Sequence, residues 1–214
     1  MSIDAVLFDF DGTLTRPDAI DFAALRASLG VPPGSPILEF IASLPSALEQ
    51  ERRLAILQQW EEAAARASVP NTGAEEVLAL LRGRGCAVGI LTRNTRRSIE
   101  LSLGNFRSTW LSDFAAVVTR EAKARPKPEP DGVHIAAALL RVEPSRMLVV
   151  GDFVYDIAAG RAAGAATVLI TNGADAERAE AALRARVGPA TPIVDAKADH
   201  VIATLFELPA LLDR

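Results

Sequence analysis

Apolar and polar positions along this chain fall into two regimes. Near its start, Ala5-Val-Leu-Phe8 is an unbroken apolar run that stops at Asp9 and, two positions on, at Asp11. A short apolar run bounded by turn residues reads as a buried strand, so both acids and the Gly12-Thr13 turn fall at its C-terminal tip. From 18 to 68 the period lengthens to that of helices. Phe22, Leu25 and Leu29 share one face, then Ile37, Phe40, Ile41 and Leu44, then Leu57, Trp60, Ala64 and Ala67. The stretch Gly30-Val-Pro-Pro-Gly-Ser-Pro36 parts the first two helices, and Pro45 suits the first turn of the third. This region reads as an all-helical insertion of about 50 residues.

From residue 71 the pattern alternates. Thr72 with Glu75 makes a capping-box signature, followed by Val77, Leu78 and Leu81 on one face. Strands are predicted at Cys86–Leu91, Ala115–Val118, Met147–Val150 and Thr167–Ile170, with helices at Thr95–Leu103, Val133–Leu140 and Asp156–Ala163 and a closing segment at Val201–Leu208. Helix and strand in alternation predict an α/β fold, a doubly wound (Rossmann-like) parallel sheet with helices on both faces. The expected division is a core of residues 1–16 plus 72–214 and a small helical cap of residues 17–71. The joints near 16–18 and 69–73 are the expected hinges.

Composition narrows the class. Among 214 residues, 50% are hydrophobic and 23% charged, which suits a packed globular protein and argues against disorder. A net charge of −4 with no basic stretch argues against a nucleic-acid partner. No apolar run approaches the roughly 20 residues of a membrane span, and with an apolar strand so near the start no secretory leader is expected. A cytoplasmic protein, monomer or homodimer, is expected. Cys86, the single cysteine, reads as a reduced, core-packed thiol.

Several strand tips carry polar residues. The first carries Asp9 and Asp11; the second, Thr92, Arg93 and Asn94; a later one, Gly151-Asp152, with Asp156 four residues on. Lys127 sits in the proline-stiffened loop Arg125-Pro-Lys-Pro-Glu-Pro-Asp-Gly132. Open α/β sheets bind ligands beyond the C-terminal ends of their strands, where these groups would converge. Closely packed acids need a cation or a proton between them. Hard oxygen ligands suit Mg²⁺, which keeps waters and is completed by a substrate phosphate. The plainer alternative leaves one Asp capping the turn and the other solvated.

These residues resemble the haloacid dehalogenase superfamily, in its phosphatase branch with a small helical cap. Four signatures match in order over nearly the whole chain: Asp9-Phe-Asp11-Gly-Thr-Leu-Thr15, Leu91-Thr92, Lys127-Pro128 and Gly151-Asp152-Phe-Val-Tyr-Asp156. The resemblance implies that Asp9 attacks phosphorus and becomes an aspartyl-phosphate, while Asp11 protonates the leaving alcohol and then activates water. It places Mg²⁺ on a carboxylate oxygen of Asp9, the backbone carbonyl of Asp11 and a carboxylate oxygen of Asp152. Asp156 would support the metal through water or orient Lys127. Gly12, Thr92, Asn94 and Lys127 would hold or neutralise the phosphoryl group. An acid at Asp11 favours phosphate esters over halides, because a halide leaves without a proton.

The second signature departs from many phosphoglycolate-phosphatase-like relatives, which carry Asn directly after the hydroxyl residue where this chain has Arg93. Arg93 is either a substrate contact or a solvated charge. Lys123 is the rival to Lys127 but lacks the following proline. His134, His200, Asp4 and Asp195 have no motif context, Gly173 turns the chain, and Arg16, Arg52 and Arg53 are candidate cap contacts. The expected activity is hydrolysis of a small phosphorylated metabolite, phosphoglycolate being the family-level guess. A phosphomutase on the same core and a receiver-like signalling module are the alternatives. In a receiver the acceptor Asp lies on a middle strand of a shorter chain without a helical insertion, which fits this pattern less well.

Overall fold

The first strand lies inside the sheet, and its neighbours explain why distant residues meet beside it. In the computed structural model, which describes residues 3–17, 19–175 and 197–212, β1 (Ala5–Phe8) pairs in parallel with β2 (Ala87–Leu91) on one side and β4 (Met147–Gly151) on the other. Adding β3 (Ala116–Val118), β5 (Ala166–Ile170) and β6 (His200–Ile202) gives one six-stranded sheet in the order β3-β2-β1-β4-β5-β6. All its pairings are parallel. Phe8 is level with Ile90 of β2 and Val150 of β4, so Asp9 emerges beside the tips of both. Strand order reverses between β1 and β4, where doubly wound sheets open a crevice.

Alternation along β1 sends side chains to opposite faces. Val6 and Phe8 join Val77, Leu78 and Leu81 of α4 (Ala74–Gly83) and Ile99 of α5 (Arg96–Leu103). Ala5 and Leu7 join Val133 and Ala136 of α6 (Asp131–Leu140) and Ala159 of α7 (Val154–Ala163). Helices therefore cover both faces, and the α/β doubly wound architecture is the one observed.

Between Thr15 and Pro70, which form an antiparallel bridge, the chain makes α1 (Phe22–Leu29), α2 (Ile37–Ser43) and α3 (Ala47–Ala67). Leu25, Leu29, Val31, Ile41 and Leu57 form an apolar cluster of their own. The far end of α3 is seated on the sheet domain, where the Asn105 amide donates to the carbonyls of Ala65 (3.0 Å) and Ser68 (2.9 Å).

Some local expectations give way to tertiary contacts. The Thr72/Glu75 capping box does not form. Gly73, at φ 82°, leads into α4 without a side-chain cap, and the Glu75 carboxylate instead accepts from the backbone of Arg107 and Ser108. Pro45 precedes α3, whose cap is Ser46, the hydroxyl oxygen accepting from Glu49 N–H. Phe22 is 46% exposed while Leu25 and Leu29 are buried, and α3 buries Glu61 and Ala65 in place of Ala67, because Glu61 has a partner on the sheet side. The closing segment resolves into β6 and a 3₁₀ turn at Leu205–Glu207. Asp18, in one expected hinge, and Asp195 lie outside the described residues.

Candidate active site

Lys127 is the organising charge at the sheet's C-terminal edge. It is 5% exposed, and its ammonium donates to Asp9 Oδ1 (2.5 Å), Asp156 Oδ1 (2.5 Å) and the Leu91 carbonyl (2.9 Å). Burial opposes its charge, but the Asp156 and Asp9 carboxylates outweigh burial and hold the ammonium above its ordinary range. Asp156, at the start of α7, is itself pushed up by burial, against the pull of Lys127. Its second oxygen accepts the Phe153 N–H at 3.1 Å. Lys123 is exposed.

Carboxylate oxygens of Asp9, Asp152 and Asp156 lie within 4.8 Å of one another. Such a set suits a divalent cation with oxygen ligands at roughly 2.0–2.6 Å. Both oxygens of Asp156 have partners within the fold, Lys127 and the Phe153 N–H. Gly12 packs against Asp152 so closely that a Cβ there would fall 2.3 Å from Asp152 Oδ2, and its φ of +74° favours glycine as well.

The β2 tip closes the other side. Thr92 is buried, and its hydroxyl oxygen accepts the Asn94 N–H at 3.1 Å, a turn that leads into α5. The Asn94 side chain donates to Asp11 Oδ2 at 2.6 Å. Burial, with help from the Asp9 charge, pushes the Asp11 carboxyl up to about 6, against the pull of that amide. A carboxyl in this range exchanges protons readily near neutral pH, as a general acid and base requires.

Arg93 is neither free nor simply solvated. Its Nη2 donates to both carboxylate oxygens of Glu39 in α2 at 2.7 Å, its Nη1 reaches the Lys127 carbonyl at 3.4 Å, and its guanidinium lies 5.4 Å from the centroid of the Tyr155 ring. One side chain thus touches the loops that carry Thr92 and Lys127, the helix that carries Asp156, and the helical insertion above them. A second tie lies deeper. Arg120 donates through both terminal nitrogens to Glu61 of α3 (2.8 and 2.9 Å), and Glu61 is 6% exposed. A cavity of about 330 Å³ opens between α2 and this edge, with Leu38, Glu39, Thr92, Arg93 and Lys127 in its wall.

Of the other sequence candidates, Arg53 donates to the Leu29 carbonyl and to Glu49, so it holds the insertion together, and Arg52 and Arg16 are exposed. His134 lies exposed on α6, and His200 opens β6. Cys86 is half-buried, and burial raises its thiol pKa. Sequence reasoning passed over Glu39, Glu61, Tyr155, Asn71 and Asn172. Asn172 alone left a local trace, in the Asn172-Gly173 pair that marks a turn.

Residues 3–164 match the family model described as haloacid dehalogenase-like hydrolase, and residues 124–208 match a second, HAD-hydrolase-like model. An uncharacterized hydrolase of Saccharomyces cerevisiae is 36% identical over 79% of this chain and 78% of its own. N-acetylmuramic acid 6-phosphate phosphatase of Pseudomonas aeruginosa is 32% identical over 81% of this chain and 84% of its own, and the plasmid phosphoglycolate phosphatase of Cupriavidus necator is 30% identical over 97% and 92%. Among solved structures, a hydrolase from Pseudomonas syringae superposes with a TM-score of 0.75 at 22% identity, covering 98% of both chains.

Proposed function

Since this chain belongs to the haloacid dehalogenase-like hydrolases, we propose that it is a Mg²⁺-dependent phosphatase that cleaves a small phosphorylated metabolite through an aspartyl-phosphate on Asp9. The observation that carries this reading is the convergence of Asp9 and Asp11 from the tip of β1, Thr92 from that of β2, Asp152 from that of β4 and Lys127 from the loop between β3 and α6, with Lys127 bonded to Asp9. In the first step a carboxylate oxygen of Asp9 attacks phosphorus. The bond to the ester oxygen breaks, and that oxygen takes the proton held by Asp11. In the second step Asp11, now ionised, takes a proton from water, whose oxygen attacks the same phosphorus. The acyl-phosphate bond breaks, Asp9 is regenerated, and inorganic phosphate leaves.

Lys127 keeps one Asp9 oxygen engaged and lowers the charge that the approaching phosphoryl group meets. Thr92 and the turn at Gly12 line its seat. Mg²⁺, bound by Asp9 and Asp152 with the Asp11 carbonyl, would supply charge neutralisation at the phosphoryl oxygens. Residues 17–71 act as a cap on the core of 1–16 plus 72–214. Their separate apolar cluster and the Thr15–Pro70 bridge at their base support that division. Relatives named for N-acetylmuramic acid 6-phosphate and for phosphoglycolate favour a phosphorylated carboxylic acid. The expected cytoplasmic location fits such a metabolic role.

The test is phosphate release from a panel of phosphorylated metabolites, with Mg²⁺ and with chelator, for wild type and Asp9→Asn. Release that is lost both with chelator and in Asp9→Asn is the expected result. Turnover by Asp9→Asn at the wild-type rate would refute the covalent route.

A further inference from the structure

We propose that Asn71 and Asn172 form an amide brace that positions Asp11 for proton transfer, an inference that rests on the phosphatase reading above. The turn after β1 directs its internal hydrogen bonds to one oxygen, the Phe10 carbonyl, which accepts from Leu14 N–H (2.9 Å) and Thr15 N–H (3.0 Å). The carbonyls of Gly12 and Thr13 need partners from elsewhere, because buried backbone oxygens are rarely left bare. Asn172 Nδ2 donates to Gly12 O at 2.8 Å. Asn71 Nδ2 donates to Thr13 O at 2.8 Å, to Gly12 O at 3.4 Å and to Asn172 Oδ1 at 2.8 Å. Asn71 is itself pinned, its Oδ1 accepting Thr72 N–H and its own N–H donating to Leu14 O, both at 2.8 Å.

Asn172 stands at φ 54°, a left-handed conformation uncommon outside glycine. Glycine would occupy that backbone position with less strain. What asparagine adds is the amide, and the amide goes to Gly12. Gly12 has no slack on its other side, where it abuts Asp152. Asp11 precedes Gly12, whose carbonyl is the clamped group, and Asn94 holds the Asp11 carboxylate from across the site. The acid is therefore held directly at its side chain by Asn94 and indirectly, through the next residue along the chain, by the brace. Asn71 also lies next to Pro70, where the helical insertion returns to the sheet. The placement of Asp11 is thereby tied to that junction.

A brace that only held the fold would affect all substrates alike. A brace that positions a general acid matters most where the departing oxygen is basic and needs its proton early. The experiment compares wild type, Asn172→Gly and Asn71→Ala on β-glycerophosphate, an alkyl ester, and on p-nitrophenyl phosphate, whose leaving group departs without help. Asn172→Gly keeps the left-handed backbone and deletes only the amide, so it is the milder variant, and thermal melting checks that both variants fold. The expected result is a fall in kcat/KM of about tenfold or more on the alkyl ester against less than about twofold on the aryl ester, because kcat/KM reports the first step, in which Asp11 gives its proton, and not the water-activating step that both esters share. Equal losses of kcat/KM on both esters, or none on either, would overturn the brace. Absence of Asp9-dependent phosphate release by wild type would overturn the phosphatase reading itself, a separate outcome.

Discussion

Replacing Lys127 by Met should leave a fold whose stability responds to acid in the opposite sense to most proteins. The variant keeps the length of the side chain but removes the cation that, among the described residues, is bonded to Asp9 and Asp156, groups that are 13% and 2% exposed at their side chains. At 2.5 Å, and with an effective dielectric constant of about 20, each contact is worth roughly 6–7 kcal/mol before desolvation. Desolvating three buried charges takes back much of that, and removing one partner of a buried pair typically costs about 3–5 kcal/mol.

The pH dependence follows from the signs. In wild type the Lys127 pKa is raised, so its contribution is fully present at neutral pH and is lost only as pH rises through the folded value. In the variant the Asp156 carboxyl, already pushed up by burial, loses the cation that opposed that push and is harder still to ionise. Protonation relieves it, so the deficit of about 3–5 kcal/mol at pH 7 should shrink toward pH 4.5. Urea unfolding of both proteins at the two pH values, with chelator present, measures the difference. A deficit that is the same at both pH values, or one below about 1 kcal/mol at pH 7, would refute the buried-charge argument.

Further outcomes are expected at neighbouring positions. In metal-free protein the Asp11 carboxyl, followed by ¹³C NMR, should titrate near 6, fall in Asp9→Asn and rise in Asn94→Ala. Because its folded value lies above its unfolded one, Asp11 should subtract from stability as pH climbs from about 4 through that range. Glu61→Ala leaves Arg120 without its partner and should cost about 3–5 kcal/mol in chemical denaturation, whereas Glu61→Met with Arg120→Met should cost less. Gly12→Ala should keep the protein folded yet raise the Mg²⁺ concentration needed for half-maximal activity, since its Cβ meets Asp152; an unchanged Mg²⁺ requirement would count against a close Gly12–Asp152 packing.

Much of the architecture is legible in the residues themselves. The apolar run Ala5–Phe8, the alternation after residue 71 and the acids at strand tips are local patterns, and local backbone preference sets them. The acids and Thr92 stand at those strand tips, the resemblance singled out Lys127 over Lys123, and the period of helices marked an expected insertion over residues 17–71. Local patterns misled where a distant partner competed. Glu75 left the expected capping box for the backbone of Arg107 and Ser108, and Glu61 turned inward because Arg120 was there to receive it.

Tertiary structure alone decided which polar groups would meet. Asn94 reaches Asp11 across 83 positions, Asn71 reaches Asn172 across 101, and Arg93 reaches Glu39 across 54. No period or turn rule connects residues that far apart. Their encounters depend on β1 lying between β2 and β4 and on the helical insertion folding back over that edge. The sequence by itself determined the candidate reactive groups and the strand ends that carry them, because side-chain chemistry and backbone period are properties of near neighbours. Strand order and packing determined their distances and their proton affinities, because burial and Coulomb interactions are properties of whatever the fold brings close.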